Sequence, residues 1–342
     1  MIIKLKKLNL PILLIALFVI FAKFRNMVMM RICSKSLLSA ALTLVCALFF
    51  IGTAQAQQAQ RHTIKHGGME REYWLYLPEN LKPDAPLVIL LHGYKASAEG
   101  YRPEMMTVAK ENGFALCYPQ GALDGRGKTC WNVGYPFQED LKTDDVDFLC
   151  TLARHLQKKH DLSRENTFLT GMSNGGEMCY LMAYLKPDVF AAFAPIAGLS
   201  MEWSYKKYEA MKPVPLMEVH GTADKTSKWE GDPFNEGGWG SYLAVPQAVA
   251  YWAAKARCTH EETTELPLIR NKVILHTYKG GEPAWKGGPA TEVRLYEVVG
   301  GKHTWPSTTW IHVRKSGISS VSILDSPVSR NMVKLHEMTC LD

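Results

Sequence analysis

Short apolar runs alternate with helical stretches along residues 72–299, and this alternation constrains the fold more than any other feature of the chain. Pro86-Leu87-Val88-Ile89-Leu90-Leu91 is continuously apolar, as a strand covered on both faces has to be. Residues 114–118, closed by Pro119, form a second such run. Residues 167–170, 193–197, 216–219 and 292–299 read as further strands, and 72–77 alternates as an early, partly exposed one. Between them, Asp144 and Asp145 cap a helix running to about His160, with Val146, Leu149, Leu152 and Leu156 on one face. Residues 174–185 and 246–255 are helical, the latter with Pro246 at a tolerated first position. The pattern predicts an α/β fold with a mostly parallel central sheet and helices on both faces. No internal repeat or low-complexity linker divides residues 57–342, which are expected to form a single domain.

One strand-to-helix junction reads Gly171-Met172-Ser173-Asn174-Gly175, extended by Gly176. In a G-x-S-x-G turn the serine is exposed on a strained elbow, and the glycines leave room for the neighbouring backbone. A serine hydroxyl needs a base to take its proton, and the base needs an acid to orient it. Asp224 follows the 216–219 strand in His220-Gly221-Thr222-Ala223-Asp224, and His303 follows the last strand in Gly300-Gly301-Lys302-His303-Thr304-Trp305. The order Ser, acid, His matches the chain order of this elbow class, and each residue follows a strand, where open α/β sheets place their sites. The expected triad is therefore Ser173, Asp224 and His303. His220 precedes the acid and is expected to hold the loop. The oxyanion that such chemistry develops needs backbone donors. Asn174 supplies one, and the His92-Gly93-Tyr94 loop, through Tyr94, the other.

Leu91-His92-Gly93-Tyr94, Cys130-Trp131-Asn132, Asp144-Asp145-Val146, the 171–176 elbow, His220 to Asp224, Ala250-Tyr251-Trp252 to Cys258, and Gly301 to Pro306 occur in that order. Together they resemble the secreted esterase family of feruloyl esterases, acetylxylan esterases and polyhydroxybutyrate depolymerases. The resemblance runs from about Arg71 to Pro306 and implies the α/β-hydrolase fold and the same triad. It also implies that Trp131 lies near the site and that Cys130 and Cys258 are bridged. Many family members carry Cys where this chain has Tyr94, a harmless change if the contact is a backbone one. After Pro306 the expected loop and closing helix fit residues 307–342 poorly, although 325–338 can form a helix. Trp229, Trp239, Trp285 and Trp305 sit in or beside the site loops, 225–242 and 280–288 among them. Trp131 and Trp305 are the candidate substrate-binding aromatics, with faces suited to a sugar or phenolic ring.

The remaining features bound the setting. The net charge of +6 comes without a basic block, which argues against a nucleic-acid partner. Met30-Arg31, Lys35, the apolar run 37–51 and Ala54-Gln55-Ala56 make a bacterial-type export signal, so 1–56 is expected to be removed and the mature chain to be secreted or periplasmic, without stable membrane association. A second apolar run, 10–22, points to a true start at Met30, with 1–29 an extension. The rival, a membrane anchor, is shorter than the roughly 20 residues a span needs. Six cysteines follow residue 56, enough for 15 pairings, and no spacing suits a metal. No cofactor or metal is expected. The substrate is expected to be a small-molecule or oligosaccharide ester, feruloyl or acetyl on plant cell-wall saccharide, with a polyhydroxybutyrate oligomer as the alternative. The saccharide preference rests partly on the lack of the linker and adsorption module expected of a polyester depolymerase. A serine peptidase, which usually adds a large lid domain, and an inert binding module, which would be expected to have lost a triad residue, are the other readings.

Overall fold

The computed structural model describes residues 58–79, 81–266 and 272–305, all within one compact unit, Gln57–Asp342. The expected export signal and closing helix lie outside the described residues.

Among the described residues, twelve strands and five α-helices follow one another. The strands are β1 (Gln60–His66), β2 (Met69–Tyr76), β3 (Ala85–Leu91), β4 (Ala115–Pro119), the short β5 (Ala122–Leu123) and β6 (Thr129–Cys130), β7 (Leu162–Met172), β8 (Ala192–Ile196), β9 (Leu216–Gly221), β10 (His260–Leu266), β11 (Val273–Gly281) and β12 (Thr291–Val298). The helices are α1 (Glu104–Asn112), α2 (Asp145–His160), α3 (Asn174–Leu185), α4 (Glu202–Lys207) and α5 (Val245–Lys255). Ten strands form one sheet in the order β1-β2-β4-β3-β7-β8-β9-β12-β11-β10. From β4 to β12 every pair is parallel, and antiparallel pairs flank that centre on both sides. This is the expected mostly parallel α/β sheet.

The central strands are apolar along their length because both faces are covered. Leu87, Ile89 and Leu91 of β3 join one core with α2, α3 and α5. Val88 and Leu90 join the other, with Met105, Val108 and Ala109 of α1. Asp144 caps α2, accepting from the Asp147 N–H at 2.8 Å. The sequence reading underestimated β7 and missed β1, β10, β11, α1 and α4. β1 and β10 are the sheet's edges, Gln-Arg-His-Thr-Ile-Lys-His and His-Glu-Glu-Thr-Thr-Glu-Leu, mostly exposed. Charged edges discourage pairing with another chain, and they erase the alternation that marks a strand. β2 differs in the other direction: its second half, Tyr73 to Tyr76, is fully buried.

Candidate active site

The parallel strands β3, β7, β9 and β12 all end at the same edge of the sheet, and each hands the chain to a loop carrying an expected site residue. β7 ends at Met172, and Ser173 follows with φ 56° and ψ −123° before α3 begins. That backbone region is costly for a non-glycine residue, and close packing maintains it. A Cβ on Gly171 would lie 2.7 Å from the Gly175 carbonyl, and one on Gly175 would lie 2.6 Å from the Leu91 carbonyl oxygen. Strand, elbow and helix approach so closely only because both positions are glycine.

The acid and the imidazole lie within hydrogen-bond distance. His303 Nδ1 donates to Asp224 Oδ2 at 2.7 Å, with the Asp224 side chain fully buried and the His303 side chain 21% exposed. The other Asp224 oxygen accepts the Thr226 and Ser227 N–H groups, both at 2.8 Å. The two loops touch at Gly221 and Gly301, where a Cβ on Gly221 would fall 2.4 Å from the Gly301 carbonyl carbon, and the Ala223 N–H donates to the Gly301 oxygen at 2.8 Å. The segment after His303 reaches back to the elbow: Arg102 stacks 5.1 Å over Trp305 and donates to Met172 Sδ at 3.7 Å.

The oxyanion loop is locked from behind. A Cβ on Gly93 would sit 3.5 Å from the Ser173 Cβ, so this loop lies against the serine. The Tyr94 N–H has no backbone acceptor among the described residues, and Asn174, first residue of α3, has no acceptor within the helix. The Asn174 side chain accepts from the Trp131 N–H at 2.7 Å and donates to the Trp131 carbonyl at 3.1 Å. Trp131 Nε1 donates to the His92 carbonyl at 2.9 Å. His92 is itself buried, which lowers its pKa to about 4. Its neutral ring donates from Nδ1 to the Gly93 carbonyl and accepts at Nε2 from the Gly121 N–H. Asp145 accepts from the Asn132 N–H at 2.8 Å and pairs with buried Arg71 at 2.8 Å. The Cys-Trp-Asn and Asp-Asp motifs thus form one scaffold under the oxyanion loop.

Three expectations are corrected here. Trp131 is fully buried and holds the His92 carbonyl, so it offers no face to a substrate. Trp305 is 5% exposed and covered by Arg102, so it packs as well. Cys130 and Cys258 are not bridged: both are free thiols. Cys130 is buried beside Gln138 Nε2, whereas Cys258 sits beside the Tyr278 and Thr291 carbonyls. Trp285 also departs from expectation. It lines a cleft with Arg164, Phe190, Lys212 and Pro215, residues near the opposite, amino-terminal ends of β7, β8 and β9. The aromatic wall nearest the oxyanion loop is instead Tyr94, Tyr135, Phe137 and Trp239, whose ring centroids lie 5.1–6.5 Å apart.

Sequence reasoning missed two buried acids. Glu177, on α3, accepts from the Tyr135 hydroxyl. Burial pushes its pKa up to about 8, against the pull of Tyr135, Asn174 and the Leu199 N–H. Glu218, on β9, accepts from Tyr180 at 3.0 Å and faces His220 at 2.8 Å. The available signal was an acid inside an otherwise apolar helix or strand, which a buried element tolerates only with partners. Among the described residues no cluster of His, Cys, Asp or Glu is arranged to hold a metal. The arrangement sets a hydrogen-bonded acid–imidazole pair on loops at the sheet edge that carries Ser173.

A strained serine on a strand–helix turn, with its acid and imidazole on later loops of a mostly parallel sheet, defines the α/β-hydrolase class. Residues 71–224 match the model of the family described as Esterase PHB depolymerase. The chain's relatives include a bifunctional acetylxylan esterase/xylanase of Neocallimastix patriciarum, 28% identical over 48% of this chain and 23% of that protein. A poly(3-hydroxyalkanoate) depolymerase C of Paucimonas lemoignei is 26% identical over 73% of this chain and 62% of its own length. The chain thus spans less than two thirds of each of these relatives. The solved acetyl xylan esterase from Aspergillus awamori shares the fold, with a TM-score of 0.52 and 17% identity over 72% of this chain and 95% of that one. Among the described residues no helix is long and apolar enough to cross a membrane.

Proposed function

We propose that this chain is an exported serine carboxylic-ester hydrolase working through an acyl-enzyme. The observation that carries the reading is the His303–Asp224 hydrogen bond at 2.7 Å, on the sheet edge where Ser173 stands on its strained elbow. Ser173 Oγ attacks the ester carbonyl while His303 Nε2 takes its proton. Asp224 holds the Nδ1–H tautomer and stabilises the imidazolium. The Tyr94 and Asn174 N–H groups receive the oxyanion. His303 then protonates the departing alcohol, and a water deprotonated by the same nitrogen releases the acid.

We assign the substrate as a feruloyl or acetyl ester on cell-wall saccharide. Acetylxylan esterases among the relatives support this, as does the Tyr94, Phe137 and Trp239 wall beside the oxyanion loop, whose rings suit a sugar or phenolic face. A polyhydroxybutyrate oligomer is the second reading, favoured by the depolymerase relative that aligns with 73% of this chain. A fluorophosphonate probe should label Ser173 in the wild type and fail on Ser173→Ala, which should keep the fold and lose turnover. Labelling elsewhere would remove Ser173 as nucleophile. The substrate is decided by kcat/KM on methyl ferulate, acetylated xylo-oligosaccharide and a hydroxybutyrate trimer. A trimer rate at least tenfold above both others, about 1.4 kcal/mol in transition-state binding, would promote the depolymerase reading.

A further inference from the structure

Strand β9 carries two buried ionisable side chains, Glu218 and His220, on the same face of the sheet, because residues two apart in a strand point the same way. Both are shut off from solvent. His220 Nδ1 lies 2.8 Å from Glu218 Oε1, and Nε2 lies 2.8 Å from the Ser227 carbonyl. A carbonyl only accepts, so Nε2 carries a proton. Burial raises the pKa of Glu218, and the hydrogen bonds it accepts from the Tyr180 hydroxyl at 3.0 Å and the Gly198 N–H work against that rise. With the second proton on Nδ1, the ring is an imidazolium. Burial alone would lower the pKa of His220, but Glu218, the Ser227 carbonyl and Asp224 outweigh it and raise it. Both nitrogens are engaged, so His220 cannot take a proton from Ser173.

His220 nevertheless touches the site through one turn. Ser227, whose carbonyl it holds, donates its own N–H to Asp224 Oδ1 at 2.8 Å. Asp224 Oδ2, the atom that receives His303, lies 3.8 Å from His220 Nε2. The acid therefore stands between two imidazoles. The other groups facing this pair are Tyr180 of α3, through Glu218, and the Trp229 ring edge at 6.1 Å. Glu177 and Cys179 of α3 feel the Glu218 charge, and Tyr242 feels that of Asp224.

We propose that Glu218 and His220 are a positioning pair for the Asp224 acid: His220, kept cationic by Glu218, pins the 224–227 turn through the Ser227 carbonyl and offsets part of the Asp224 charge felt by His303. This rests on the reading of Ser173, Asp224 and His303 as the triad. With the cation gone, Asp224 would favour the His303 imidazolium more strongly, and activity would need a higher pH to appear.

The test uses the whole enzyme, with kcat/KM on p-nitrophenyl acetate followed from pH 5 to 9. In His220→Gln the amide nitrogen can still donate to the Ser227 carbonyl, but the charge is lost. Its acid limb should move to higher pH by about half a unit or more. Glu218→Gln should move the limb the same way, and His220→Ala should lower the plateau kcat at least tenfold with little change in KM. Limbs within about 0.2 units of wild type in both glutamine variants would overturn the proposal. Should those variants fail to fold, the wild type decides by nitrogen-15 NMR. Two protonated ring nitrogens on His220 at pH 8 support the pair, and one refutes it. Failure of the fluorophosphonate to label wild-type Ser173 would overturn the triad and this inference with it. Labelled wild type with unshifted variants overturns this inference alone.

Discussion

Asp224→Asn tests the site in a way its own hydrogen bonds make decisive. Asp224 Oδ1 accepts two backbone N–H groups, from Thr226 and Ser227, each at 2.8 Å. Two donors aimed at one atom require an oxygen there. The asparagine is therefore held with its oxygen on the turn and its amide nitrogen in the Oδ2 position, 2.7 Å from His303 Nδ1 in the native geometry. The imidazole then has to accept at Nδ1, and its single proton moves to Nε2. That is the nitrogen that must be empty to take the Ser173 proton. Restoring the working tautomer means flipping the amide, which sets a donor against both N–H groups. Leaving two buried donors unsatisfied costs about 1–3 kcal/mol each, so roughly 2–6 kcal/mol together. Loss of the carboxylate charge opposite the imidazolium adds to this. The expected fall in kcat is about 10⁴-fold, the size seen when a triad imidazole is held in the wrong tautomer, and it corresponds to about 5.5 kcal/mol. Initial rates on p-nitrophenyl acetate give the value, and thermal unfolding close to wild type confirms an intact fold. A variant retaining more than about a tenth of the wild-type kcat would refute the acid assignment, the reasoning from the pinned oxygen, or both.

Three further outcomes follow from the geometry. Wild-type activity should fall on acidification, because only a neutral imidazole can take the Ser173 proton; a profile flat from about pH 5 to 8 with chemistry rate-limiting argues against an imidazole base. Gly175→Ala places a Cβ 2.6 Å from the Leu91 carbonyl oxygen and 2.8 Å from that of His92, so it should displace the oxyanion loop and lower kcat about 10²-fold or more. Gly125→Ala, with nothing within 4 Å, should be silent, and equal activities would dismiss the oxyanion-loop role. Glu177 has a folded pKa of about 8 against an ordinary 4.5, so the folded chain binds the extra proton between those values. Its contribution to stability is complete below about pH 4.5 and is lost as pH rises through about 8, with a slope of up to ~1.4 kcal/mol per pH unit. Glu177→Gln should flatten this decline in urea unfolding at pH 5, 7 and 9, and parallel slopes would show that Glu177 is not the titrating group.

The sequence by itself determined the sheet's centre and the chain positions of Ser173, Asp224 and His303. Strands covered on both faces must be apolar along their length, and a strained elbow must have glycines around its serine; both demands are local and leave a local mark. The edges left none, because β1 and β10 meet water and their pairing is made by backbone groups common to all residues. Tertiary structure alone decided the rest. Trp131 and Trp305 looked like ligand-facing aromatics, yet one supports the His92 carbonyl and the other packs beneath Arg102. Cys130 and Cys258, both in matching segments, are free thiols with different neighbours. Trp285 falls at the amino-terminal ends of the strands, and Trp239 joins the wall beside Tyr94. The placing of Glu218 and His220 behind Asp224 depends on β9 lying between β8 and β12 and on a turn at Ser227. Whether an aromatic ring is a platform or a prop, and whether a buried acid has a partner, depends on groups distant in the chain. No spacing rule encodes that, since contact is settled only when the sheet closes its neighbours together.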